Sequence, residues 1–136
     1  SPTNSVSAAD PLFNPSSEST QNTKKSFESK LDFVKSLWHE AKAASESLGV
    51  HPAVLIAQAA LETSWGKKVI KHGNGETSHN LFNIKAGAMW DKNKVSVKTL
   101  EYNQGVVGYE RADFRSYRSF AESFQDYIHL IKSNDR

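Results

Sequence analysis

The spacing of the apolar residues changes along this chain, and this change constrains the fold most. Between residues 27 and 48, and again between 120 and 131, apolar side chains recur every three or four positions, which indicates amphipathic helices. Between residues 95 and 102 two sets of side chains alternate instead, and the segment up to residue 117 is typical of a β-hairpin with its turn at NQGVVG. The order of these elements predicts an α+β fold that is mainly helical.

A second helix is predicted between the first helix and the hairpin. Pro52 suits a first helical position, and Gly66 after Trp65 suits the position just past a helix end. The segment between them is apolar nearly all round, so we expect this helix to be buried. The motif NLFNIKA that follows, at residues 80 to 86, reads as a short strand or a turn and a strand.

The first 25 residues differ in composition from the rest of the chain. They are rich in Ser, Thr, Asn and Pro and contain few apolar residues. Such a segment buries too little surface to offset the entropy of ordering. We therefore expect a disordered linker or tail over residues 1–25 and one folded domain over residues 26–136.

Composition excludes several classes of function. A formal net charge of +2 is too small to predict a nucleic-acid-binding protein, and no apolar run approaches the roughly 20 residues of a membrane span. The chain has no cysteine, so disulfides and thiolate sites are excluded. HEAKA, at residues 39 to 43, lacks the second histidine of the helical zinc motif. We expect neither a metal ion nor a cofactor.

The stretch QAALETSWG, residues 58 to 66, places an ionisable carboxyl group among apolar neighbours. On a helix, Glu62 has Gln58 and Ala59 as neighbours on one side and Trp65 on the other. Such surroundings remove solvation and disfavour the charged form of the carboxyl group. A carboxyl group that keeps its proton near neutral pH can act as a general acid, as a glutamic acid beside a tryptophan does in lysozyme. Spacing alone leaves open a solvated glutamate near a helix end.

Four motifs together resemble the glucosaminidase family that cleaves bacterial peptidoglycan, and within it the flagellar rod-assembly hydrolases. They are AQAALETSWG, NLFNIKA, TLEYNQG and FRSYRSFAESFQDYIHLI, and they lie in the family's order over about residues 28 to 134. The resemblance implies a lysozyme-like fold, in which a helical α-lobe and a small β-hairpin lobe flank a substrate groove. It also implies that Glu62 is the catalytic acid.

The substrate class follows from the same resemblance. It implies a glycan strand of alternating N-acetylglucosamine and N-acetylmuramic acid, cleaved at the β-1,4 bond on the reducing side of N-acetylglucosamine. A periplasmic or exported location is implied too, with flagellar rod proteins as partners of an N-terminal domain that this chain lacks. The flagellar relatives also continue beyond the point where this chain ends, so we expect either a C-terminal truncation, which would remove part of the groove, or a naturally short protein.

The second carboxylate is less well defined than the first. Glu101, in TLEYNQG, matches the residue that the family places on its hairpin, where it would act as a base or as an electrostatic partner. Asp113 and Asp91 are rivals that no motif supports, and a solvated residue on an exposed strand is the structural alternative. The acetamido oxygen of the substrate could replace a second carboxylate, as in substrate-assisted glycosidases. A muramidase or lytic transglycosylase, or a wall-binding module without activity, also remain open.

Aromatic faces and amides are expected to hold the sugar rings. The predicted substrate-binding residues are Trp65, Asn80, Phe82, Tyr109 and Tyr117. Asn80 would shape the groove or bind an acetamido group, and Phe82 would lie between groove and core. Tyr117 matches a tyrosine of the family motif, but a core tyrosine with a satisfied hydroxyl group is an equal alternative.

Overall fold

The computed structural model describes residues 26–134, which form three helices and one two-stranded antiparallel sheet. In chain order the elements are α1 (Lys30–Leu48), α2 (Pro52–Thr63), β1 (Lys94–Asn103), β2 (Val106–Arg115) and α3 (Phe120–Asn134). The α+β expectation is therefore confirmed. The linker predicted over residues 1–25 lies outside the described residues.

Local signals in the sequence account for the ends of α1. The hydroxyl oxygen of Ser29 accepts a hydrogen bond from the backbone N–H of Asp32, which satisfies one of the free donors of the first turn. At the other end Gly49 has φ 75°, and its N–H donates to the Ser45 carbonyl. This left-handed conformation suits glycine and ends the helix where the sequence predicts it.

The second helix differs from its prediction in length and in burial. It begins at Pro52 as expected but ends at Thr63, because Ser64 and Trp65 already have positive φ angles of 51° and 58°. One face packs against α1, whereas the opposite face is open, with Val54 56% and Leu61 78% exposed. The prediction of a helix buried nearly all round is therefore wrong.

The core lies where α1 packs against α2 and α3. Phe33, Leu37 and Phe124 are almost fully buried in it, and Leu81 enters from the loop after α2. Phe27, ahead of α1, meets Phe33 edge to face with ring centroids 5.0 Å apart. Aromatic side chains bury large apolar areas, so this cluster is the main source of the hydrophobic stabilisation of the helical part.

The hairpin pairs ten residues of β1 with ten of β2, from Lys94 with Arg115 to Asn103 with Val106. Its turn is only Gln104 and Gly105, both with positive φ, as a two-residue type I′ turn requires. The predicted return strand from Tyr109 therefore starts too late. Within NLFNIKA only Lys85 joins a strand, through an isolated bridge to Phe114 that attaches β2 to the helical part.

Directly paired residues of an antiparallel hairpin point to the same face, so the register defines two faces. We call inward the face that carries Val95, Val97, Thr99, Glu101, Gly108, Glu110, Ala112 and Phe114. We call outward the face that carries Lys94, Ser96, Lys98, Leu100, Tyr102, Val107, Tyr109, Arg111, Asp113 and Arg115. None of the described helices has the length and apolarity that spanning a membrane would need.

Candidate functional site

Glu62 lies in the last turn of α2, half-buried, with a side-chain amide on each carboxylate oxygen. The Gln58 amide, one turn earlier, donates to Oε2 over 3.3 Å. The Asn83 amide donates to Oε1 over 3.1 Å and to the Glu62 backbone carbonyl over 3.0 Å. The carboxyl group is therefore held by both the helix and the loop that follows it.

Asn83 is a site residue that the sequence reasoning missed. It adopts a left-handed conformation with φ 51°, which asparagine tolerates better than most residues with a Cβ atom. Asn83 directly follows a bend at residues 81–82, and its amide reaches back to the end of α2. The signal was present in NLFNIKA, because asparagine is a frequent left-handed residue in turns.

The early end of α2 changes the setting of Trp65. Because Trp65 lies beyond the helix, it is not the helical neighbour of Glu62 that the sequence predicted. Its ring packs edge to face against Phe33, with centroids 5.9 Å apart, and the Lys30 ammonium group lies 5.1 Å from its centroid. A sugar-binding role for Trp65 stays a prediction.

Asn80 is fully buried, and sugar binding by its side-chain amide stays a prediction. Its Nδ2 atom donates to the carbonyls of Ile84 and Arg115, at 2.9 Å and 2.8 Å, and its Oδ1 atom accepts from the Ile84 N–H at 3.0 Å. These bonds use both amide N–H groups inside the protein. They close the loop that carries Asn83 and tie it to the end of β2, so Asn80 shapes the site indirectly.

Phe82 also belongs to the core. Only 7% of it is exposed, and the Tyr127 ring stacks on it with centroids 3.9 Å apart and planes 4° from parallel. The Phe124 ring meets it edge to face. One face is covered and little surface remains, so Phe82 lies mostly in the core, and contact between Phe82 and a sugar stays a prediction.

Tyr117 is buried, with its hydroxyl group satisfied inside the protein. The hydroxyl donates to Oδ2 of Asp126 over 2.5 Å, and the same oxygen accepts from Arg115 over 2.8 Å. Burial, and then the hydrogen bond and charge of Asp126, hold the pKa of the Tyr117 hydroxyl well above its ordinary value. The structural alternative considered for this tyrosine is therefore the one observed.

Glu101 and Tyr109 lie on different faces of the hairpin. Glu101 is on the inward face, exposed, opposite Gly108, and its Oε2 atom accepts a hydrogen bond of 3.0 Å from the Thr99 hydroxyl. Tyr109 is 70% exposed on the outward face, beside Leu100. The structure thus does not bring Tyr109 to the side on which Glu101 lies, and sugar binding by Tyr109 stays a prediction.

The structure also places Asp113 and Asp91, the two rivals of Glu101. Asp113 lies on the outward face, within 3.7 Å of the Lys94 ammonium group, and Asp91 is exposed in the loop before β1. Within residues 26–134 no three His, Asp or Glu side chains come together as a metal site would require.

Comparison with known proteins agrees with the motifs. The family model described as glucosaminidase, mannosyl-glycoprotein endo-beta-N-acetylglucosaminidase, matches residues 38–136. Peptidoglycan hydrolase FlgJ of Vibrio cholerae is 50% identical over 110 residues, which is 81% of this chain and 33% of that protein. A probable N-acetylmuramidase of Lactococcus lactis subsp. lactis is 35% identical over 103 residues, covering 76% of this chain and 22% of that protein.

A solved structure supports the fold. The C-terminally truncated glycoside hydrolase domain of Salmonella typhimurium FlgJ superposes with a TM-score of 0.70 at 40% identity, covering 78% of this chain and 70% of that one. The lysozyme-like expectation is thereby confirmed. The chain spans about a third of the length of the FlgJ relative from Vibrio cholerae. Because the family model matches well over half of its residues, this chain belongs to the glucosaminidase family.

Proposed function

We propose that this chain is the catalytic part of a peptidoglycan hydrolase that cleaves the β-1,4 bond between N-acetylglucosamine and N-acetylmuramic acid. One observation carries the proposal: a half-buried carboxyl group, Glu62, held by two amides at the end of a helix in a glucosaminidase fold. The names of the FlgJ relatives support peptidoglycan as the substrate.

Glu62 acts in this proposal as the general acid. Glycoside hydrolysis needs a carboxylic acid that protonates the departing sugar oxygen while positive charge develops at the anomeric carbon. A carboxylate oxygen can accept two hydrogen bonds, so each oxygen of Glu62 keeps one position beside its amide donor. The amides of Gln58 and Asn83 therefore fix the plane of the carboxyl group without blocking the position of the proton.

Glu101 is the proposed second carboxylate. It lies on the inward face of a hairpin whose residues 100–111 are exposed, and exposed β-structure with few packed side chains opens at a low free-energy cost. Movement of this end toward the helical part would bring its negative charge to the oxocarbenium-like transition state. Attack by the substrate's own acetamido oxygen remains the alternative, in which Glu101 would have an electrostatic role alone.

The biological setting extends the proposal. The FlgJ relatives favour a role in opening the cell wall for the flagellar rod, in the periplasm or at the wall. Contacts with rod proteins would then involve parts of the FlgJ relatives that this chain does not match. These assignments depend on whole proteins of which the chain matches about a third.

A second candidate is cleavage at the neighbouring bond. The relative named as a probable N-acetylmuramidase favours it, because the same fold and a single acid can serve either bond. Mass spectrometry of the released fragments separates the two activities. N-acetylglucosamine at the new reducing end supports glucosaminidase activity, whereas reducing or anhydro-muramic acid contradicts it.

A peptidoglycan gel tests the role of Glu62. Purified wild type should clear the gel, Glu62→Gln should bind peptidoglycan without clearing it, and Glu46→Gln, on the exposed side of α1, should behave like wild type. Clearing by Glu62→Gln would remove Glu62 as the acid. Binding without clearing by all three proteins would instead indicate a wall-binding module without activity.

A further inference from the structure

A concave surface that neither Glu62 nor Glu101 lines lies at the base of the hairpin, where Arg115 of the outward face contacts Trp90. It is a cleft of about 680 Å³ between the end of β2, the loop before β1, and α3. Trp90 and Tyr117 form its aromatic wall, with centroids 6.0 Å apart, and the Arg115 guanidinium group lies 4.3 Å from the Trp90 centroid. We call this surface the outer cleft, lined among others by Trp90, Lys92, Tyr117, Gln125, Asp126 and His129.

The two carboxylates of the outer cleft are already neutralised within the protein. Asp126 accepts hydrogen bonds from Tyr117 and from Arg115, as described above. Glu122 forms an ion pair of 3.1 Å with Arg118. Negative charge in the cleft is therefore balanced by arginine before any ligand arrives.

Lys92 adds a positive charge that these pairs do not balance. Its ammonium group lies 5.7 Å from the Trp90 centroid, and within residues 26–134 no salt bridge involves it. Gln125 and His129, one helical turn apart on α3, are exposed at the same cleft. The outer cleft thus combines an aromatic face, an unneutralised cation and side-chain hydrogen-bond donors.

The same chemistry continues along the outward face of the hairpin. Leu100, Tyr102 and Tyr109 are all at least half exposed there, and the Lys98 ammonium group lies 5.5 Å from the Tyr109 centroid. Isolated exposed apolar residues are common, whereas a run of them beside cations indicates an interaction surface. The length of this outward face suits an extended chain that carries both apolar and anionic groups.

We propose that the outer cleft binds a free carboxylate of a short acidic peptide, namely the stem peptide that peptidoglycan strands carry. This inference rests on the proposed function, because it names a second part of the same substrate. The carboxylate pairs with Lys92, and aliphatic side chains of the peptide pack against Trp90. N-acetylglucosamine is uncharged and gives no reason for a cation at this position. The domain would thereby hold peptide-bearing strands by a surface separate from Glu62.

Isothermal titration calorimetry tests this binding directly. The probes are a wall tetrapeptide with free carboxylates, the same peptide with its carboxylates amidated, and a neutral N-acetylglucosamine tetramer. The free peptide should bind wild type and Lys35→Gln equally, and Lys92→Gln should weaken it roughly fivefold, the scale of an exposed ion pair. Amidation should weaken binding to wild type by a similar factor. Thermal melting confirms that each variant is folded.

Three results would overturn the proposal. They are no binding of the free peptide, equal binding by wild type and Lys92→Gln, and binding of the neutral tetramer that depends on Lys92. The last result would assign the cleft to sugars. The proposed function is tested by a separate experiment, in which wild type is given glycan strands without their peptides. If wild type does not cut these strands, the proposed function fails, whatever the result of the peptide titration.

Discussion

The Asn83 side-chain amide donates to both the carboxylate and the backbone carbonyl of Glu62, at 3.1 Å and 3.0 Å, across 21 positions of sequence. Two bonds from one amide fix the carboxyl group relative to the end of α2. Asn80 is buried, and the hydrogen bonds from its side-chain amide to two backbone carbonyls hold the loop that carries Asn83. Asn83 is thus a positioning residue for Glu62.

Removal of the Asn83 amide is expected to lower kcat more than it changes KM. Asn83→Gly suits the positive φ angle at this position, so it removes the amide without backbone strain. Misplacement of a catalytic group by a fraction of an ångström to 1 Å costs up to about 100-fold in rate. Steady-state kinetics on soluble glycan fragments should show a loss of about 10- to 100-fold in kcat. A rise in KM at unchanged kcat would instead assign Asn83 to substrate binding.

Glu101→Gln is expected to lose most of the activity at unchanged stability. The side chain is exposed and its hydrogen bond is with Thr99 on the same strand, so the free energy of unfolding should change by no more than about 0.5 kcal/mol. Glu110→Gln is the matched control, since Glu110 shares the inward face and pairs with Thr99. Turbidity assays measure the activity of both variants, and thermal melting measures their stability. Equal activity losses in the two would show a general charge effect of the hairpin.

The sequence could predict the element types because their periodicities are long and regular. The sequence pattern predicted the end of α2 two residues too late, because neither Ser64 nor Trp65 is a residue type that favours the left-handed conformation that both adopt. Tertiary packing sets that conformation: Gly66 sits against Phe27 and Phe33, residues that precede it by more than thirty positions. Long-range contacts of this kind are absent from local sequence patterns.

The site was predictable where motifs name a residue and unpredictable where burial decides its role. Glu62 stands in the last turn of a helix, as the sequence predicts, but its carboxylate contacts the amides of Gln58 and Asn83. Asn80, Phe82 and Tyr117 carry groups suited to sugars, yet the structure uses them for loop closure and core packing. Residue type gives the available chemistry, whereas only the fold shows whether solvent and substrate can reach it.

Gly66→Ala is expected to destabilise the domain strongly. The glycine has φ 87°, and an added Cβ atom would lie 2.9 Å from a ring atom of Phe33 and closer still to Phe27. Positive φ disfavours alanine by about 1 kcal/mol, and overpacking of rigid rings adds about 1–3 kcal/mol. Urea unfolding should show a loss of about 2 kcal/mol or more. Gly73→Ala, with open space at its Cβ position, should leave stability nearly unchanged.

The buried Tyr117 hydroxyl makes stability fall at alkaline pH. Burial first, and then the Asp126 hydrogen bond and charge, raise the pKa of this hydroxyl in the folded protein far above the value of about 10 in an unfolded chain. The folded protein therefore keeps a proton that the unfolded chain releases. This contribution to stability is fully present below about pH 10 and is lost progressively as the pH rises above it, by up to about 1.4 kcal/mol per pH unit.

Tyr117→Phe should cost about 1–2 kcal/mol at neutral pH, because Asp126 loses one donor, and should flatten the alkaline decline. Urea unfolding between pH 8 and pH 11.5, with exposed Tyr102→Phe as control, measures both effects. Parallel alkaline declines in wild type and Tyr117→Phe would show that another group controls the pH dependence.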